Sequence, residues 1–397
     1  MENLNFRNES REFQWHKILW FTFFIILLNN CIEPYPIKSI NYRNLLVVEG
    51  FISSELKQHE VVLSKSTAIN QAVFSPESGA QVSIKTEDST ITLTESALGH
   101  YLTQSMRGVV GKTYQLFITT ESGRKIQSEK VILKPNPPIK NLYAGYSTNV
   151  PELDFKGGFQ IFLDTEDSTN QSHYYRWEYE ENWEITKPWE SFYEWTGGNN
   201  VVYRENEVNI CYGIDSTNNV ITESTQGLEE DKIQSKVIQV IESSSRKLQV
   251  IYSISVKQFT LSSDGYNYWQ SLLKTNEGQG QLYNAQPGTV IGNLVSTTDQ
   301  DIVLGYFDAC QVWEKRIFVM PLKFRSAGFV PFEFDSECKF QEFTVVPLDQ
   351  IGAFYSKPEN SNMDIVASSG GGLYLLPKDC CDCTSMGSNV KPSFWPF

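Results

Sequence analysis

The chain has 397 residues, 47 acidic side chains against 33 basic ones, and a formal net charge of −14. Such a balance repels nucleic-acid phosphates and argues against nucleic acid as a partner. Apolar residues at 40% and charged residues at 20% describe a folded globular protein, and the length calls for two domains rather than one small core.

At the N-terminus, Lys17 precedes the apolar run 18–28, which ends at Asn29, Asn30 and Cys31. A helix over that run rises only about 16 Å, roughly half a bilayer core, so it is too short to span. A basic flank, a short apolar stretch and a cysteine together have the form of a bacterial lipoprotein export signal. Asn30 stands where a small residue is usual, and an ordinary secretory signal with Cys31 incidental is the alternative. The expectation is a signal over residues 1–30, lipidation of Cys31, and a tether over 31–39.

From Leu45 to Leu133 the pattern is β throughout. Val82 and Ile84 alternate with Gln81, Ser83 and Lys85, while Tyr114, Leu116 and Ile118 form another alternating run. Short runs broken by Ser75–Gly79 and Glu121–Gly123 read as a sandwich of about seven strands, immunoglobulin-like or transthyretin-like, over residues 40–134. Pro135, Pro137 and Pro138 cannot continue a ladder, so residues 135–139 read as a stiff extended linker and a domain boundary.

The second domain, 140–397, is expected to be a fibronectin-III-like sandwich. Phe159, Ile161 and Leu163 open it, and Tyr175, Trp177 and Tyr179 alternate with Arg176, Glu178 and Glu180, which predicts a half-buried strand carrying a core tryptophan. Residues 248–259 read as another strand. The period then changes: Tyr266, Trp269, Leu272 and Leu273 recur at helical spacing behind a Ser/Asp cap, predicting one short helix over 262–276 that stops at Gly278. Strands resume at 302–307 and 316–320, and the tail from Ser368 reads as irregular and stapled by cysteine.

Setting Cys31 aside leaves Cys211, Cys310, Cys338, Cys380, Cys381 and Cys383 as disulfide candidates. Vicinal Cys380 and Cys381 are poor partners for each other, and the connectivity stays open. Zinc would want paired C-x-x-C units or nearby histidines, whereas His59, His100 and His173 lie far apart, so no metal site is expected. Asp164, Glu166 and Asp167 do not match a calcium loop and read as a solvated turn. The segment 368–372 lacks the lysine and spacing of a phosphate loop and reads as a flexible loop. No catalytic motif and no cofactor motif stand out, so the expectation is a protein that is not an enzyme. The densest feature is the aromatic insertion 182–198, with Trp183, Trp189, Phe192, Tyr193 and Trp195. Its rings form either an exposed contact surface or a satellite core.

With these segments in hand, the chain resembles a family of Bacteroidota outer-membrane lipoproteins known as domain-of-unknown-function family 4249. The carriers are Leu46–Gly50, Ser78–Val82, Val110–Tyr114, Val256–Ser262, Tyr268-Trp269, Gln286-Pro287, Gly292-Asn293, Leu304–Phe307, Lys315–Phe318, Cys381–Cys383 and Lys391–Trp395. The resemblance implies a lipid-anchored outer-membrane protein found beside TonB-dependent receptors, on the periplasmic face or at the cell surface. It implies no catalytic residue. The functional expectation is a non-enzymatic accessory or ligand-binding module for such a receptor in nutrient uptake, the alternative being a structural or adhesive envelope protein.

Overall fold

The computed structural model describes residues 44–67, 75–277, 290–331, 338 and 342–396. The expected signal, Cys31 and the tether lie outside them. Among the described residues the protein is mainly β, at 50% strand, as its alternating patterns predict. Among the described residues no helix is long and apolar enough to cross a membrane.

The N-terminal segment builds two sheets around one core. The first runs in the order Val303–Cys310, Leu46–Ser53, Glu60–Lys65, His100–Leu102, Thr94–Ala97, with Ser75–Pro76 beside Glu60–Lys65. The second runs Leu294–Ser296, Lys125–Ser128, Thr113–Thr119, Gln81–Lys85, Thr90–Thr92, with Val131–Ile132 beside Thr113–Thr119. Alternate residues point inward, and Val48, Ile52, Leu63, Ile84, Leu116 and Ile118 are fully buried in one cluster. Each such side chain contributes about 1.5–3 kcal/mol of apolar burial.

Two of these strands come from far along the sequence. Val303–Cys310 lies parallel to Leu46–Ser53 in an unbroken register from Leu46↔Val303 to Ser53↔Cys310. Leu294–Ser296 pairs antiparallel with Lys125–Ser128. Phe307 and Leu294 enter the same core cluster as Val48 and Leu116. The expected boundary at 134 is therefore crossed twice by the chain, and residues 44–66 and 73–397 cluster as one unit. The linker is pinned rather than free. The Asn136 side chain donates to the Gln311 carbonyl at 3.0 Å, Gln258 Nε2 donates to the Pro137 carbonyl at 2.7 Å, and Trp313 Nε1 donates to the Asn136 carbonyl at 2.7 Å.

Beyond the linker, Ile139–Val150, Lys156–Glu166 and Lys232–Glu242 form a three-stranded sheet. It shares a core with a five-stranded sheet of Ile210–Ser216, Tyr174–Thr186, Tyr252–Thr260 and Val312–Val319, in which Ile221–Ser224 also pairs with Tyr174–Thr186. Trp177 is the core tryptophan that the alternation predicts, 1% exposed, with its Nε1 donating to Gln258 Oε1 at 2.9 Å. The expected helix is present as Ser263–Glu277.

The tail departs from expectation. Met363–Ser369 and Gly372–Pro377 form a hairpin within a third sheet, ordered Asn200–Tyr203, Tyr193–Gly197, Met363–Ser369, Gly372–Pro377, Thr344–Pro347. The presumed flexible glycine loop is its turn: Gly370 and Gly371 have φ of 61° and 82°, the left-handed pair that a tight hairpin requires.

One glycine governs the return strand. Gly305 has φ +103°, and a Cβ there would lie 1.8 Å from the Val48 carbonyl oxygen. Gly305→Ala is expected to cost about 3 kcal/mol or more in urea unfolding, because strain and a backbone clash add. Gly111→Ala, with φ +85° and open space around it, is the control and is expected to cost about 1 kcal/mol.

Candidate functional site

The outward face of the first sheet is not polar, as it would be if solvent covered it. Val47, Phe51, Val62, Leu304 and Tyr306 all point away from the sandwich core and are only partly exposed. The helix Ser263–Glu277 and the strand Tyr174–Thr186 stand opposite, and a cleft of about 820 Å³ opens between them. Its lining includes Tyr268, Trp269 and Leu272 from the helix, Arg176 and Glu178 from the strand, and Glu49, Glu60 and Asp308 from the sheet. The size is that of a small-molecule site.

The register fixes the polar groups. Val62, Glu49 and Tyr306 form one row across three strands, and Phe51 and Asp308 are neighbours in the next. Tyr268 stacks on Tyr306 with centroids 5.0 Å apart and meets Trp269 edge-on at 5.6 Å. The Arg176 guanidinium is held between Phe259, at 4.4 Å, and Trp269, at 4.3 Å, and its Nη1 donates to Glu178. These faces position the cation by cation–π attraction and shield it from water. Burial, followed by the charge of Glu49, pushes the Tyr268 hydroxyl up to about 12. Burial likewise raises Tyr306 to about 12, against a contact with Ser262 Oγ at 3.3 Å.

Asp308 is the unusual group. Its Oδ1 accepts the Ala309 N–H at 2.8 Å, while Oδ2 is shut off from solvent and has no hydrogen-bond partner among the described residues. Burial pushes this carboxyl up to about 6, although the Ala309 N–H and the charges of Arg176 and Lys134 pull it down. Ser262, whose Oγ accepts the Gly265 N–H at 3.0 Å, starts the helix beside this carboxyl.

The residues singled out from sequence lie elsewhere and are not brought together. Trp183 packs against the second core under Lys247, 4.9 Å from its ring. Trp189 donates from Nε1 to the Cys338 carbonyl at 2.8 Å and sits on the disulfide cluster. Tyr193 joins the core of the third sheet. Trp195 is 38% exposed and stacks on Tyr355 at 4.9 Å. The insertion thus sends Trp183, Trp189 and Tyr193 to different clusters and leaves Trp195 and Phe192 partly exposed, so its rings form neither one contact surface nor one satellite core. It does so because Trp183 lies on Tyr174–Thr186, Trp189 and Phe192 in the loop that follows, and Tyr193 and Trp195 on Tyr193–Gly197 with neighbouring side chains on one face but different exposure.

The cysteines divide unevenly. Cys211 pairs with Cys383, and Cys338 with Cys380. Cys310 and Cys381 are buried thiols, which corrects their candidacy for a third bridge: Cys310 ends the return strand inside the first body, far along the chain from the tail. Burial, then Asp364 and Asp382, pushes Cys381 up to about 12, which suppresses its reactive thiolate. Asp164 and Asp167 serve turns and strand ends, with Asp164 accepting the Ser235 N–H and Asp167 those of Thr169 and Ser172.

Sequence reasoning missed the cleft. Arg176 and Glu178 were read as a solvent face, and Val47 and Tyr306 as parts of ordinary strands. The available signal was the absence of alternation: Leu46-Val47-Val48 and Val303–Phe307 are apolar on both faces, which marks strands covered on both sides.

Fold and cleft together define a multi-sheet β protein with an aromatic, acid-lined cleft between one sheet face and a helix. The family model for Domain of unknown function (DUF4249) matches residues 32–316, and the chain belongs to that family. The matched span covers the cleft and the first two sheet systems up to the middle of Val312–Val319, and it ends before the strands 344–377 and the C-terminal cysteines. None of the curated proteins compared with the chain matches it.

Two outcomes are expected. Iodoacetamide should modify no cysteine from Cys211 to Cys383 in the native protein, two in denaturant without reductant, and six after reduction, read by mass spectrometry. A carboxyl whose folded pKa is raised from 3.8 to about 6 supports folding below pH 4 and loses that support as pH rises to 6. Asp308→Asn is therefore expected to match the parent in urea unfolding at pH 3.5. At pH 7.5 it should exceed the parent by about 1–3 kcal/mol.

Proposed function

We propose that this chain is a non-enzymatic, lipid-anchored binding module of the outer membrane that serves a TonB-dependent receptor in nutrient uptake. The observation that carries the binding part is the cleft: about 820 Å³ walled by Tyr268, Trp269, Tyr306 and Phe51, with Arg176 and four carboxylates among its lining. Aromatic walls supply rigid contact area at low entropic cost, which suits capture rather than turnover. The anchor is supported by Cys31 behind the apolar run 18–28 and its basic flank. The receptor enters through the family resemblance alone, because fold does not determine function.

The test is affinity purification from native outer membranes through a C-terminal tag in mild detergent. Recovery of a TonB-dependent receptor in stoichiometric amount is the expected result. Recovery of the chain alone, under conditions that keep known receptor complexes intact, would overturn the receptor role in favour of a structural or adhesive envelope protein.

A further inference from the structure

We propose that the cleft selects a cationic ligand, an ammonium group carried on a short apolar stem. This deepens the binding reading above and rests on it. Among the described lining residues there are four carboxylates, Glu49, Glu60, Glu178 and Asp308, against one guanidinium, Arg176. That guanidinium is partly committed: its Nη1 donates to Glu178 and it lies over the rings of Phe259 and Trp269, while its buried Nε has no hydrogen-bond partner among the described residues. Lys257, whose Nζ stands 3.0 Å from Glu55, lies on the Glu178 side, and Lys134 lies near Asp308 outside the lining. Glu49 has no ion pair among the described residues, and Glu60 meets only the ring of His100, at 2.8 Å. The cleft therefore presents uncompensated negative charge to whatever enters it.

Geometry narrows the ligand further. On the sheet face, Glu49 flanks Tyr306 in one row, and Asp308 follows two residues along the same strand, on the same side. A carboxylate, the Tyr268–Tyr306 aromatic stack and a second carboxylate thus follow one another on one sheet face, surroundings that favour an ammonium through charge and cation–π attraction together. Oδ2 of Asp308 has no donor among the described residues but is shut off from solvent beside Gly265, so a ligand N–H meets it only when the side chain turns toward the cleft. Val47, Leu304 and Leu272 line the remainder and offer an apolar surface for a stem. An anion would meet the carboxylates of Glu49 and Glu60, and a neutral sugar would leave their charge unanswered.

The experiment compares three probes with one stem and different heads: hexylammonium, hexyl glucoside and hexanoate. Each is titrated calorimetrically into the full mature chain at pH 7.5 and low salt, with tryptophan fluorescence as a second readout of Trp269. Hexylammonium is expected to bind at least about tenfold more tightly than either competitor. Glu49→Gln combined with Glu60→Gln changes exposed rim carboxylates, of which Glu60 meets only the exposed ring of His100, and it should weaken hexylammonium about threefold to tenfold with a much smaller effect on hexyl glucoside. Binding of all three with similar affinity, or a preference for hexanoate or the glucoside, would overturn the charge selection and leave the cleft as a binding site. Binding of none would overturn the cleft reading itself. Hexylammonium binding that the double substitution does not change would place the cation elsewhere and overturn the proposal as well.

Discussion

The parallel pairing of Leu46–Ser53 with Val303–Cys310 is the constraint on which the rest of the molecule depends. Eight consecutive residues on each side keep register, from Leu46↔Val303 to Ser53↔Cys310. A parallel neighbour requires a crossover, and here it takes in the rest of the first two sheets, most of the second sheet system and the helix. The return strand delivers Phe307 and Ala309 to the first core and Leu304, Tyr306 and Asp308 to the cleft. Gly305 allows it to lie against Val48, and Asn293 secures it from the side, donating to the Phe307 carbonyl at 2.8 Å and accepting the Phe307 N–H at 2.9 Å. The side chain of Asn293 thus does the work of a neighbouring strand.

A second constraint holds the junction. Gln258, fully buried, takes the Trp177 indole N–H on Oε1, and its Nε2 donates to the Pro137 carbonyl and to Thr165 Oγ1. Asn136 closes the network by accepting from Thr260 Oγ1 at 2.8 Å and reaching the Gln311 carbonyl. Burying these amides is tolerable only because their polar atoms are answered. The prolines of the linker contribute by leaving carbonyls without competing local N–H groups, so the linker offers acceptors to Gln258. A segment that reads as a spacer is in fact the most densely bonded part of the junction.

The pattern of the sequence made some of this legible. Trp177 follows from strict alternation in a strand rich in aromatics, and the helix Ser263–Glu277 follows from the spacing of Tyr266, Trp269, Leu272 and Leu273 behind a cap. Both are local periodicities, which one stretch of chain determines by itself. The cleft was not legible, because it arises where the outer face of Leu46–Ser53 meets residues more than a hundred positions away. Alternation says which residues share a face, not what covers that face. The pairing of Cys211 with Cys383 was hidden for the same reason, and Cys310 misled because parity of cysteines carries no information about strand position. The aromatic insertion shows the opposite failure: local density of rings suggested one surface or one satellite core, while topology sent Trp183, Trp189 and Tyr193 to different clusters and left Trp195 and Phe192 partly exposed.

The late arrival of the return strand has a consequence for biosynthesis. A chain made from its N-terminus produces Leu46–Ser53 first and its parallel partner some 250 residues later, so for most of synthesis that strand has a free edge. The contact is among the longest in sequence that the molecule makes, and closing it waits on everything between. Until residues 303–310 emerge, the first sandwich lacks Phe307 from its core and carries unpaired backbone donors on a strand rich in valine, a surface prone to association. The order of the genetic text thus imposes an interval in which the nascent first sandwich needs shelter, and the final closure of its sheet and the completion of the cleft become one and the same event.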